Sequence, residues 1–441
     1  GSADYVFKTY MEPVMYLADF SITTQNTSNS CVIHGSKKGC LNLSNIRIHD
    51  VTPNYLSTIW IYLCSDYESR WDNVIIENVL TPDMGLVDIG GSMRGSISNC
   101  KFRNATSTYT SASVWAYPLV SFRVDQYLTF NNCEFNNLTM LDDDASAIQI
   151  GAVQFPQQQN IFSFNNCLFS NITSPGSIML VGSSNNPNMN FNNCTFAGNA
   201  SDNYTLMVNG NVNITNSIFY NDSPYQIKVN PMNGNPNEFT TLNIDYSNIK
   251  DGMAGILQVP GNTIHYNATS ISSNPLFLGG DDVHNPLYYS LSAGSPCINA
   301  GTPDTLGLDL LPYDLAGNWR VWNGRIDMGC YEYGSAPWVA NDDPYIPEVE
   351  PGLMLSNYPN PFNPTTTIAY QLPKNGKVRL DIYNLKGQHV TTLVDEAKVA
   401  GSHTAIWNGT DSSGSSVASG VYLYRLSFDG NNQTNKMLLM K

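Results

Sequence analysis

Apolar residues in this chain recur in a short phrase rather than along a helical stripe. The phrase reads FNNCEFNN at 130–137, FNNCLFSN at 164–171 and FNNCTFAGN at 191–199. With its Cys as register, the pattern extends over eight rungs, at Ile46, Val74, Cys100, Cys133, Cys167, Cys194, Ser217 and Ser247. Intervals of 23 to 34 residues fall in the range of a solenoid repeat. Three positions before the register residue every rung is apolar: Leu43, Trp71, Ile97, Phe130, Phe164, Phe191, Ile214 and Ile244. Two positions after it stand Ile48, Ile76, Phe102, Phe135, Phe169, Phe196, Phe219 and Ile249. Asn precedes the register residue at Asn45, Asn73, Asn99, Asn132, Asn166, Asn193 and Asn216, with Tyr246 in the last rung. A second Asn or Asp column lies four positions after it, where Gly198 departs. Apolar positions spaced by two are strand-like, and the Asn interrupts the alternation. Each phrase therefore predicts two short strands joined at a bend, and the spacing excludes a helix.

Stacked coils bring equivalent residues to about 4.8 Å. A buried bend Asn then bonds to its counterparts above and below, satisfying groups whose burial is otherwise costly. The Phe102, Phe135, Phe169, Phe196, Phe219 column predicts ring-on-ring stacking inside the coil. Because Ile, Val and Ser share the slot of Cys100, Cys133, Cys167 and Cys194, the position asks for a small inward group and the Cys column reads as structural. Parallel Cβ vectors disfavour bridges between rungs.

The pattern changes toward the C-terminus. Residues 335–351, SAPWVANDDPYIPEVEP, are rich in Pro and acid, carry no period and read as a linker. Beyond it, KVRLDIYNLKGQHVTTLV and SGVYLYRLSFDGNNQTNKMLLMK alternate apolar and polar residues between Gly and Asn turns, as in a small antiparallel β-sandwich. The division is thus a solenoid over 1–334, a linker over 335–351 and a sandwich over 352–441.

Composition narrows the function. At 441 residues the chain exceeds one ordinary domain. A net charge of -15 with 13% charged residues argues against nucleic acid as a partner and leaves surface polarity to Asn, Ser and Thr. No apolar run has the length of a membrane span. The chain opens GSADYVF without Met and reads as a mature or trimmed form. Nine cysteines with no C-x-x-C pair argue against a zinc module.

The rungs resemble the right-handed parallel β-helix family. NPLFLGG at 274, LSAGSPCINAGT at 291, YDLAGNWR at 313 and GRIDMGCYEYG at 324 resemble the closing segment of secreted bacterial surface β-helix proteins. That resemblance implies a cap hiding the last hydrophobic coil, with Asp314, Arg320, Asp327 and Glu332 as paired structural charges and Cys297 with Cys330 as a disulfide tying the cap. Cys31 with Cys40 or Cys64 is a second pairing in the same setting. SNYPNPFNPTTTIAYQL, IYNLKGQHV, NGTDSSGSSVASGVYLYRL and the terminal KMLLMK resemble the C-terminal sorting domain of type IX secretion cargo. This implies a Gram-negative cell, export to the surface or medium, a type IX translocon as partner, and Lys436, Met437, Leu438, Leu439, Met440 and Lys441 as the sorting signal.

Many β-helices cleave acidic polysaccharides, which makes a polysaccharide lyase or glycoside hydrolase the enzymatic alternative. A lyase needs cations against substrate carboxylates, yet no Lys or Arg stands between Arg123 and Lys228. Asp142, Asp143 and Asp144, or Asp281 and Asp282 with His284, offer carboxylates for hydrolysis but read first as solvated loops. Asp281 and Asp282 are calcium candidates through their hard oxygens, and no other cofactor is implied. His49 reads as a surface residue. Trp115 and Tyr117, with Trp60 and Tyr62, are candidate glycan contacts. The reading is a non-catalytic, secreted or surface β-helix, an adhesin or structural component, with self-association into a fibre or surface layer as its structural variant.

Overall fold

The computed structural model describes the chain apart from residues 1–4, 10–13, 24–30, 37–39, 53–58, 65–67, 82–84, 109–117, 142–145, 153–159, 183–186, 231–238, 304–309, 323, 336–353, 359–361, 373–374, 385, 400, 430 and 441. The chain divides into two units, Gly1–Trp338 and Val339–Lys441.

The first unit is a parallel β-helix. Each coil contributes a strand to each of three sheets, and among the described residues neighbouring coils pair in parallel. Ile161–Asn165, Asn188–Asn192, Asn211–Thr215, Thr241–Asp245 and Thr263–Tyr266 stack in the first sheet. Glu134–Met140, Leu168–Ser170, Thr195–Ala197, Ile218–Tyr220 and Asn248–Ile249 stack in the second. Ser146–Ala152, Ser177–Gly182, Tyr204–Asn209, Tyr225–Val229 and Ile256–Gln258 form the third. The rung register holds from coil to coil: Phe102 pairs with Phe135, Phe135 with Phe169, Phe169 with Phe196 and Phe196 with Phe219. Their rings stack at centroid distances of 4.9, 4.9, 4.2 and 4.4 Å.

A further coil precedes Ile46. Val14–Thr23 pairs with Cys40–Val51 so that Phe20 lies beside Ile46 and Ile22 beside Ile48. Its phrase, LADFSI, carries Asp at the bend and Phe in the register slot, a substitution at both marker positions.

The bends explain the Asn columns more fully than the ladder alone. Asn45, Asn73, Asn99, Asn132, Asn166, Asn193 and Asn216 all have φ between 52° and 59°, and Asp50, Asn78, Asn104, Asn137 and Asn171 repeat this at the second corner. This is the left-handed region, where Asn and Asp are tolerated and Gly is free of strain. Gly198, the departure from the second column, has φ 66° and meets the same demand. The expectation of uniformly buried bends is corrected: Asn99 is exposed and Asn132 half-buried, whereas Asn166, Asn193 and Asn216 are buried.

The register thiols are donors as well as fillers. Cys133 Sγ donates to the carbonyls of Ile97 and Asn131 at 3.3 and 3.4 Å, and Cys194 Sγ to those of Phe164 and Asn192 at 3.3 and 3.5 Å. Ser217 Oγ repeats this toward Phe191 and Thr215. A residue that follows a left-handed bend can thus reach a carbonyl on its own coil and one on the coil below, which is why Ser substitutes for Cys here.

The described residues of the closing segment run back along the outside of the second sheet. His284 O accepts from Asn136 Nδ2 at 2.6 Å, Tyr313 O from Asn166 Nδ2 at 3.0 Å and Asp327 O from Asn193 Nδ2 at 3.3 Å. Thr302 N donates to Asn216 Oδ1 at 2.7 Å, and Ser273 O accepts from Asn248 Nδ2. The cause lies in the outward residues of the second sheet. They include Arg47, Lys101 and Arg103 in the early coils and Leu168, Ala197 and Ile218 in the later ones. Leu168 and Ala197 pack with Tyr289, Cys330 and Tyr331, and Ile218 with Leu291, Cys297 and Met328.

The expected Cys297–Cys330 disulfide is likewise corrected. Both are free, buried thiols in those separate clusters. Met328 N bonds to Cys297 O at 3.0 Å, so Met328 rather than Cys330 lies against Cys297, whose sulfur accepts from Asn248 Nδ2. Cys40 is also a free thiol.

The second unit is an antiparallel sandwich. Met354–Tyr358, Thr366–Leu372 and Gly401–Trp407 form one sheet. His389–Lys398, Gly376–Asn384, Gly420–Phe428 and Asn431–Leu439 form the other, in that order. Ile368, Tyr370, Leu380, Ile382, Trp407, Tyr424 and Leu439 share one core.

Candidate functional site

The buried charges of the closing segment bind their own backbone. Asp314 Oδ1 accepts from the amides of Ala316 and Asn318, and its Oδ2 from Glu332 N at 2.9 Å. Asp327 accepts from Asn299 N and Tyr333 N, both at 2.6 Å. Glu332 Oε2 accepts from Asp327 N and lies 3.5 Å from Arg320 Nη2. Arg320 also donates to Asn166 Oδ1 and Gly329 O. Burial pushes Glu332 up to about 8 against the opposing pull of Arg320, and raises Asp327 as well. Arg320 thus pairs with Glu332 and with backbone carbonyls, while the three carboxyl groups close turns of the folded loop through backbone amides.

Two buried carboxyls, Glu77 and Glu134, belong to nearby coils of the second sheet. Glu77 accepts from Arg47 Nε and Arg103 Nε, both at 2.6 Å. Burial opposes ionisation there, but Arg103 and Arg47 hold its carboxyl below the usual range. Glu134 is buried with Oε1 unpartnered and Oε2 3.9 Å from Lys101 Nζ, and burial raises it despite that cation. Among the described residues these two carboxyls are driven apart by their surroundings, the pattern that separates an acid from a base.

His49 lies in a hydrogen-bonded row. Its Nδ1 is 2.7 Å from Asp50 Oδ2 and its Nε2 3.1 Å from Ser21 Oγ. Ser21 and Asp50 are exposed on an open sheet.

Asp281 and Asp282 are exposed, and Asp282 Oδ1 accepts from His284 N at 2.9 Å, closing a local turn. Among the described residues no three His, Cys, Asp or Glu side chains gather. Trp115, Tyr117 and Asp142 to Asp144 lie outside the described residues, as do the side chains of Trp60 and Tyr62.

The outward face of the first sheet went unremarked in the sequence. Its columns read Asn131, Asn165, Asn192, then Asn190, Asn213, Asn243, then Asn188, Asn211. Asn165 Nδ2 donates to Asn131 Oδ1 and Asn192 Nδ2 to Asn165 Oδ1, both at 3.0 Å. Asn213 donates to Asn190 at 3.0 Å, Asn243 to Asn213 at 2.9 Å and Asn211 to Asn188 at 3.2 Å. Asn at alternate positions before the bend, with Thr129, Ser163, Thr215 and Thr241 between, was the available signal.

In the second unit, Met437 and Leu439 point into the core while Lys436 and Met440 are exposed. The strand Asn431–Leu439 lies at the edge of its sheet, and Phe362 N bonds to Leu438 O at 2.9 Å. Lys441 lies outside the described residues.

Residues 360–432 match the family model of the FlgD Ig-like domain. No curated protein matches the chain. Among solved structures, dimeric latent PorU from Porphyromonas gingivalis is similar at 20% identity and a TM-score of 0.18, over 20% of this chain and 9% of that one. PorZ, described as an essential bacterial surface component of the type IX secretion system of Porphyromonas gingivalis, is similar at 22% identity and a TM-score of 0.16, over 20% of this chain and 11% of that one.

Proposed function

We propose that the chain is an exported, non-catalytic β-helix displayed at the surface or released by a Gram-negative cell, with the sandwich as its type IX sorting domain. The observation that carries the non-catalytic reading is the use of Asp314, Asp327 and Glu332 to close turns of the segment lying on the β-helix. Lys436, Leu438 and Met440 alternate outward opposite the inward Met437 and Leu439, a side-chain pattern that a translocon can read. Incubation with a panel of neutral and acidic polysaccharides tests the reading: no reducing ends or unsaturated products are expected.

A glycoside hydrolase is the second reading, and Glu77 with Glu134 is what favours it. Product release abolished by both Glu77→Gln and Glu134→Gln would replace the non-catalytic proposal. Self-association into a fibre is tested by electron microscopy of native material, where isolated particles alone would remove it.

A further inference from the structure

We propose that the outward face of the first sheet, with the aromatic hairpin at its rim, binds a neutral, regularly repeating polysaccharide; this rests on the non-catalytic reading above. Over the five coils from Tyr127 to Asp245 this face carries one charge, Asp245 itself. An anionic polymer therefore finds no counter-charge on it.

The amides are fixed rather than free. Each ladder bond uses one of the two N–H donors of an Asn and one lone pair of the next, so the hydrogen-bonding capacity of an Asn amide exceeds what the ladder consumes. The array repeats at about 4.8 Å between coils and about 6.7 Å along a strand. Sugar hydroxyls donate and accept together, so an oriented amide array matches them, and prior ordering reduces the entropy lost on binding.

The second element is a hairpin of the closing segment. Tyr313 and Trp319 form an antiparallel bridge, and their half-buried rings lie 4.8 Å apart at 41°. Asp314 closes the turn between them, and Ser335 Oγ donates to Trp319 O at 2.8 Å. Asn166 Nδ2 donates to Tyr313 O, which sets the hairpin beside Asn165, a member of the amide ladder. An apolar sugar face can stack on such rings while hydroxyls meet the amides.

The experiment is a pull-down of the full chain on microcrystalline cellulose and on chitin, with calcium alginate beads as the acidic comparison. Product release is followed in parallel, so failure of the non-catalytic reading shows as liberated sugar and failure of this inference as absent retention. Retention on at least one neutral polymer, unchanged by high salt and exceeding that on alginate, is expected. Trp319→Ala should weaken it about tenfold. The pair Asn190→Asp and Asn213→Asp should abolish it, whereas Gln149→Asp on the third sheet should leave it intact. Circular dichroism melts identify variants that fold. Retention on no neutral polymer, equal retention on alginate, or folded face variants that bind like the parent would overturn the inference. Thermal hysteresis of ice growth without glycan retention would overturn it too, reassigning the array to ice.

Discussion

Replacing Asn132 separates the two reasons for Asn at a bend. Its φ is 52°, its Nδ2 donates to Asn99 Oδ1 at 3.2 Å, and its Oδ1 accepts from Asn166 Nδ2 at 2.6 Å. Asn132→Gly removes both side-chain bonds while accepting the backbone. At about 0.5–1.5 kcal/mol each, reduced by partial exposure, the two bonds come to roughly 1–2 kcal/mol. Asn166 keeps Tyr313 O as an acceptor, so no orphaned-donor penalty is added. Asn132→Ala loses the same bonds and also places a Cβ in the left-handed region, at a cost of about 1–2 kcal/mol. The greater freedom of unfolded Gly offsets about 0.5–1 kcal/mol of that difference. Asn132→Ala should therefore be less stable than Asn132→Gly by about 0.5–1 kcal/mol. Urea unfolding followed by far-ultraviolet circular dichroism measures both. An Ala variant as stable as the Gly variant would refute the argument that the backbone, rather than the ladder alone, selects Asn.

Other consequences follow from the buried groups. Glu332 binds its proton more tightly folded than unfolded, so its contribution is full below about pH 4.5 and is lost as pH rises through about 8. Stability should fall by a few kcal/mol at most across that window, and Glu332→Gln should flatten the slope in thermal melts. Burial pushes Cys297 to about 11 and Cys330 to about 12, and raises Cys100, Cys133 and Cys167 well above the ordinary thiol range. These thiols should resist iodoacetamide in the native protein. After unfolding without reductant, mass spectrometry should find Cys297 and Cys330 alkylated, whereas a linked peptide pair would contradict their separate packing. Phe169→Ala, between rings at 4.9 and 4.2 Å, should cost about 3–5 kcal/mol in urea unfolding. An effect near 1 kcal/mol would show that the stack does not hold the coils together.

Much of the β-helix was legible because its core obeys a strict local rule. A strand fixes inward side chains at alternate positions, and each bend resets the alternation, so Phe130, Asn132, Cys133 and Phe135 announce a coil without any long-range information. Where the marker residues change identity but keep their conformation, as with Asp19 and Phe20, the coil passed unread. The path of the closing segment was carried instead by outward positions. Leu168, Ala197 and Ile218 are apolar where Lys101 and Arg103 are charged, a contrast visible only after the inward register is removed. The donor role of Cys133 depends on carbonyls of two coils, and the Cys297 and Cys330 assignment on which backbone atoms pair, so neither follows from spacing. The amide face combines both limits: its residues alternate in plain view, but their joining into ladders requires the register between coils.

Cell fractionation tests export through the C-terminal sandwich. The full chain and a form lacking residues 360–441 would be expressed in a Gram-negative cell with a working type IX system, then sought in medium, surface and periplasmic fractions. The full chain is expected outside the outer membrane and the shortened form folded in the periplasm. Equal distribution of the two forms would contradict this expectation.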